Sequence, residues 1–265
     1  MSWTRISAIV LRSFYLYRDN PTRTLPIFLW PFLDVIMWGF ISRYLEGTTS
    51  TNFIPLLLGA VILWDFLARV MTGVAMTFFE DVWSRNFLNI FASPLRISEY
   101  VAAMVISSIA TSTLGFVFIL GVAWLFFGFS IASYGLFAFP FLLILFMGGI
   151  ALGIFGASLI LRYGPPAEWF IWPLPAIVTP FVGVFYPIST LPTWMQYVSQ
   201  ILPPTYVFEG LRAIVAGESF PVSELLIGTL LSALCIALAY YFFVRVYRRA
   251  VRTGLIARYS AETVS

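Results

Sequence analysis

The chain has 265 residues, of which 60% are hydrophobic and only 10% charged, with a net charge of +3. Soluble domains carry about 25% charged and roughly 45–50% apolar residues, so this composition cannot clothe a water-facing surface. With a mean hydropathy of +0.93, the solvent for most of the chain is lipid.

Two absences narrow the chemistry. All fifteen basic residues are Arg, and there is neither Lys nor His. A phosphate-cradling Walker A loop needs its Lys, so the chain cannot hydrolyse ATP by that route. The commonest general base and metal ligand is missing with His. Cys235 is the only cysteine, which rules out a disulfide within the chain and reads as a small packed hydrophobe.

In chain order, residues 3–18 predict an amphipathic helix. Trp3, Ile6, Val10, Phe14 and Tyr17 fall on one stripe at 100° per residue, with Arg5 and Arg12 roughly opposite. This pattern suits a helix in the headgroup plane with Arg toward anionic lipid, or a helix packed on a partner. No cleavable signal peptide is expected, because the first 24 residues lack a short apolar core followed by a small-residue cleavage site. Asn20-Pro21 breaks the helix.

Six apolar stretches follow, at 25–45, 53–79, 100–127, 136–161, 169–187 and 222–244. Each approaches or exceeds the roughly 20 residues of a spanning helix. The fifth holds Pro173, Pro175 and Pro180, which remove donors and clash with the preceding turn, so it should be kinked or partly unwound. Twelve of the fifteen Arg fall in segments that share a side if the N-terminus is inside, which predicts cytoplasmic N- and C-termini and an even number of crossings. The expected fold is therefore an all-α polytopic membrane protein with six transmembrane helices, forming a single transmembrane domain over 1–265. The fourth stretch carries Gly148, Gly149, Gly153 and Gly156, which permits close helix approach, more readily within one subunit than between two.

Two segments are unlike the rest. The loop at 80–95 opens with Glu80 and Asp81, carries Trp83, Arg85, Phe87, Leu88, Ile90 and Phe91, and stops at Pro94. Its apolar residues recur at helical spacing, so a short helix beyond the membrane must bury them on another chain or on headgroups. The segment at 190–215 reads as two helices of about ten residues, started by Pro192 and by Pro203-Pro204. They are too short to span, so the economical reading is a re-entrant pair that dips into the outer leaflet and returns.

These segments, in this order, resemble the permease subunit of type-2 ABC exporters, the drug, lipo-oligosaccharide and O-antigen polysaccharide export family. The resemblance rests on the N-terminal interfacial helix, on the acidic start and Ser93-Pro94-Leu95 end of the loop, and on Leu191-Pro192-x-Trp194 followed by Leu202-Pro203-Pro204-x-Tyr206-x-x-Glu209-x-x-Arg212. It implies that the 80–95 loop holds a coupling helix docking on a separate ATPase through Glu80, Asp81, Trp83, Arg85, Phe87, Leu88 and Pro94. It also implies a gate at the outer end of the path, formed by Pro192, Trp194, Pro203, Tyr206, Glu209 and Arg212. Further implications are export of an amphipathic or lipid-linked substrate across a bacterial inner membrane and pairing with a second copy or a homologous permease, mainly through the first and fifth spans. ATP and Mg would reside on the partner, with no cofactor or metal on this chain and no nucleic acid. Pro204 departs from the residue often found there.

Ionisable residues inside spans are costly and therefore informative. Asp65 and Arg69 are four apart on one face, which reads as an intrahelical pair or as part of a transport path. Asp34 has no local cation and should face a helix interface or the path. Glu209 and Arg212, three apart, read as a local pair. A secondary transporter or channel using Asp34, Asp65 and Arg69 without an ATPase is the alternative. An intramembrane enzyme fits worst, since no paired carboxylates stand at useful spacing.

Overall fold

The computed structural model describes residues 1–48, 53–84, 90, 93–219 and 222–254. The described residues are helical with short connections and contain no strand, as a chain in lipid requires, because every backbone N–H and C=O must be satisfied internally. The arm helix α1 runs Trp3–Arg18 and α2 runs Pro21–Glu46. Asn20 caps α2 by accepting from the Thr22 amide at 3.2 Å, with Pro21 in the first turn where no donor is needed. A π turn over Ile54–Leu58 leads into α3, Gly59–Trp83. The longest helices are α4, Ile97–Phe127, and α9, Val222–Arg252, each of 31 residues. Between them lie α5, Ala138–Tyr163, then α6, Pro173–Val182, α7, Thr193–Gln200, and α8, Pro203–Val215.

Among the described residues, five helical stretches are long and apolar enough to cross a membrane: Pro21–Glu46, Ile54–Val82, Ile97–Phe127, Ile131–Tyr163 and Val222–Arg252. The stretch expected as a fifth crossing, 169–187, does not join them. It forms a single turn, Glu168–Ile171, then the ten-residue α6, and stops at Gly183 with φ 69°. The prolines account for this: Pro173 opens α6 and Pro180 removes a donor inside it.

The core is built around α3. Ile62, Leu63, Leu67, Val70, Met71, Val74, Ala75 and Phe78 are all buried, because α4 packs on one side of α3 and α5 on another. The glycines of α5 set the second contact. A Cβ on Gly149 would lie 2.7 Å from the Leu67 carbonyl oxygen, and one on Gly153 would lie 2.6 Å from Val74 Cβ. The small-residue stripe therefore serves packing inside one subunit, where only a bare Cα allows the backbones to approach. On its other side α5 meets α9, where Ser232 Oγ reaches the Ile144 carbonyl of α5 at 3.4 Å. Cys235 is half-buried on α9.

Helix α2 lies at the edge of the bundle, against α4. Trp30, Leu33, Met37, Phe40 and Tyr44 are exposed on it, and so is Asp34.

Candidate functional site

Among the described residues, three ion pairs hold the end of the bundle that carries α1, all between elements remote in sequence. Arg5 meets Glu99 at 3.2 Å, Arg12 meets Asp81, and Arg23 meets Glu80 at 3.0 Å. Glu80 and Asp81 lie in the last turn of α3, while Glu99 lies in the first turn of α4. These two turns are the ends of the connection at 84–96, so the arm and the start of α2 grip that connection at both of its roots.

Local structure places each partner. Arg5 and Arg12 are seven apart with buried Ile9 between them, which puts all three on one stripe of α1. Glu99 sits at the third position of α4 and accepts from the Arg96 amide at 3.0 Å, closing the start of that helix. Its other oxygen accepts from the Ser2 amide at 2.7 Å, at the start of α1. Arg5 also donates to the Pro94 carbonyl. Asp81 is buried and accepts from the Tyr100 hydroxyl at 2.6 Å. It is thus doubly bonded to α1 and α4. Tyr17 stands beside Glu80, and burial first, with that carboxylate second, pushes its phenol up to about 12.

This arrangement corrects the expected orientation of the arm. Arg5 and Arg12 point into the bundle instead of toward lipid, while Trp3 and Phe14 of the apolar stripe are exposed. The physical reason is the trio of acids at the loop ends, whose burial requires cations. Asp81 consequently has no surface to offer a second chain, and Glu80 is already paired with Arg23. Of the other predicted coupling residues, Trp83 ends α3 and Pro94 is exposed. Arg85, Phe87 and Leu88 lie outside the described residues. Glu99, Tyr100 and the pairing of Arg5, Arg12 and Arg23 with the loop-end acids escaped sequence reasoning. The signal available was a basic arm preceding a loop with acids at both ends.

A second charged group lies within the spans. Arg69 Nε donates to Asp65 Oδ2 at 2.6 Å, and Arg69 Nη1 donates to the Ile27 carbonyl, also at 2.6 Å. Pro31, four residues after Ile27, lacks an N–H, so that carbonyl has lost its usual helical donor and the guanidinium replaces it. A Cβ on Gly115 would come within 2.8 Å of Arg69 Nη1. Arg69 therefore pins α2, α3 and α4 together. Asp34 stays on the exposed face of α2 with no hydrogen bond or salt bridge among the described residues.

The third group staples the segment from α6 to α8. The carbonyls at the end of α6 accept from side chains: Pro180 from Tyr186 Oη at 2.9 Å and Phe181 from Ser199 Oγ. Arg212 bridges the Gly183 carbonyl, 2.6 Å, and Glu209, also 2.6 Å, and Glu209 accepts in turn from the Ile188 amide at 3.0 Å. Tyr206 donates to the Gln200 carbonyl at 2.8 Å. Pro203 is buried, whereas Pro192 and Trp194 on α7 are exposed, with Trp194 edge-on to Phe181. The start of α8 is deep in the bundle. Pro204 lies next to Gly148 of α5, and Phe208 packs on Trp64 of α3 with ring centroids 6.0 Å apart. The carbonyls of Pro180, Phe181, Gly183 and Gln200, at the ends of α6 and α7, thus each have a side-chain donor.

A family profile described as ABC-2 type transporter matches residues 4–216, from the arm through the end of α8. The chain belongs to this family. It is a permease subunit of a type-2 ABC transporter, a membrane transport component. Comparison with curated proteins found no match. Membership gives the permease's arm-end clamp a context, since the family in general implies an ATPase partner.

Proposed function

We propose that this permease is the membrane half of an ATP-driven exporter whose coupling element is the 80–95 connection, gripped at its roots by α1. Two copies, or one copy with a homologue, pair in a bacterial inner membrane with both termini cytoplasmic and recruit two ATPase subunits. Closure of the ATPases displaces the connection, and the ion pairs at Glu80, Asp81 and Glu99 carry that displacement into the arm, α3 and α4 together. The clamp at both roots of one loop is the observation that carries this reading, because a loop must be rigidly joined to the helices it is to move. The cargo is an amphipathic or lipid-linked molecule such as a glycolipid, polysaccharide or drug. The chain's 18% aromatic content supports this cargo class.

The stretch from Glu168 to Val182 serves as a broken fifth crossing in chain order, which brings the total to six, and α7 with α8 forms a re-entrant pair at the outer mouth. Their support is length, eight and thirteen residues, together with the depth of Pro204 against Gly148. The exposed face of α2, with Asp34 among its apolar residues, is where a second copy would sit. A carboxylate at that depth is costly facing lipid.

The test is ATP-driven export and co-purification with the nucleotide-binding subunit encoded beside this chain, in variants with residues 85–92 replaced by a Gly-Ser linker. Loss of both is expected. Retention of both would exclude the connection as the coupling element. Flux in proteoliposomes of the permease alone, driven by an ion gradient, would favour a secondary transporter.

A further inference from the structure

At the arm end, the last turns of α5 and α9 enclose a cavity of about 1170 Å³. Five arginines line it: Arg162 from α5, and Arg245, Arg248, Arg249 and Arg252 from α9. Among the described residues no carboxylate lines it, and none of the five forms an ion pair. This contrasts with the clamp nearby, where Arg5, Arg12 and Arg23 each have an acid. Two of the five meet tyrosine side chains: Arg245 reaches the Tyr241 hydroxyl at 3.4 Å, and Arg162 stacks on Tyr163 at 5.2 Å.

Spacing and depth suggest the occupant. Tyr241, Arg245, Arg248 and Arg252 follow one another at three or four residues, a single stripe along α9 facing the cavity. At 1.5 Å per residue α9 is about 46 Å long, against a hydrocarbon core of about 30 Å, so its last ten or so residues stand at headgroup depth. The wall also includes Phe242 and Val246. Guanidinium groups prefer phosphate because their planar donors match its oxygens two at a time. A cavity that joins several such groups to an apolar wall at headgroup depth matches a phosphate with a hydrocarbon tail.

We propose that this cavity binds the phosphate or diphosphate group of an amphipathic lipid in the leaflet that meets the arm end. With the orientation proposed above, that leaflet is the cytoplasmic one, although binding itself does not depend on orientation or transport. The phosphate could come from a bilayer phospholipid or from a lipid-linked cargo.

The experiment is native mass spectrometry of the purified full-length chain, titrated with phosphatidylcholine, phosphatidylglycerol or a polyprenyl diphosphate, with inorganic pyrophosphate as competitor. The double variant R245Q/R249Q is compared with R18Q/R96Q, which removes equal charge from elsewhere at the arm end, and with R245K/R249K. Selective binding of an anionic lipid over phosphatidylcholine is expected, weakened at least tenfold in R245Q/R249Q, unchanged in R18Q/R96Q and intermediate in the Lys variant. Comparable affinities for both anionic lipids, with little displacement by pyrophosphate, identify a bilayer lipid. A tenfold preference for the diphosphate, with displacement by pyrophosphate, identifies cargo. Equal binding of phosphatidylcholine, or equal loss in both Gln variants, overturns the site. So does unchanged lipid affinity accompanied by lost ATPase association, which would assign the arginines to protein docking.

Discussion

Among the described residues, the ion pairs of this permease fall into two sets that use the same groups differently. At the arm end each pair joins residues far apart in sequence, Arg5 with Glu99, Arg12 with Asp81 and Arg23 with Glu80. Within the helical bundle the pairs are local, Asp65 with Arg69 four residues on and Glu209 with Arg212 three on. A local pair neutralises two charges on one helix and leaves the guanidinium free to satisfy a backbone carbonyl, Ile27 in one case and Gly183 in the other. A remote pair fixes one element against another. The first kind makes charge tolerable in lipid; the second transmits force.

Breaking a member of each set should separate these roles, and the largest effects belong to Asp81, which is buried, and to Asp65, which is half-buried within a span. Asp81→Ala leaves Arg12 and Tyr100 without their acceptor and Arg69→Met leaves Asp65 without its cation, each costing about 3–5 kcal/mol. Thermal unfolding of the detergent-solubilised chain measures this. The double variants sharpen the comparison. D65L/R69M should recover much of its stability and retain ATP-driven transport, whereas R12L/D81L should recover stability but not transport. Next comes Gly153→Val, whose added carbons meet Val74 and the Met71 carbonyl; overpacking of this kind costs about 1–3 kcal/mol, again read as a lowered melting temperature. Glu99→Gln should speed amide exchange at Ser2 and Arg96, the two amides its carboxylate now holds. The smallest effect belongs to Arg23→Gln, since both side chains of that pair are partly open to solvent, and a change below about 1 kcal/mol is expected.

The same division explains what the sequence disclosed. Asp65–Arg69 and Glu209–Arg212 were readable because helix geometry brings residues three or four apart together whatever the fold. Pro173, Pro175 and Pro180 announced a broken stretch, since a missing donor is a property of the residue itself. The donors that repair it, Tyr186, Ser199 and Arg212, were not readable, because their positions depend on how α7 and α8 fold back. The arm failed in the most instructive way. Ranking its residues by polarity put Arg5 and Arg12 outside, yet acids 69 and 94 residues further along the chain draw them in. Hydropathy ranks a side chain against water or lipid, not against a carboxylate supplied by another helix.

The central claim is that α1 and the connection after α3 move as one body. Spin labels at exposed Ser7 on α1 and exposed Ser93 at the loop end, in a Cys235→Ala background, report it directly by pulsed electron resonance. A third site at Leu230, exposed on α9, gives the reference. On adding ATP to the permease assembled with its ATPase partner, the account predicts an unchanged Ser7–Ser93 distance while both distances to Leu230 change. A shift or broadening of the Ser7–Ser93 distance, with the arm stationary against Leu230, would contradict it.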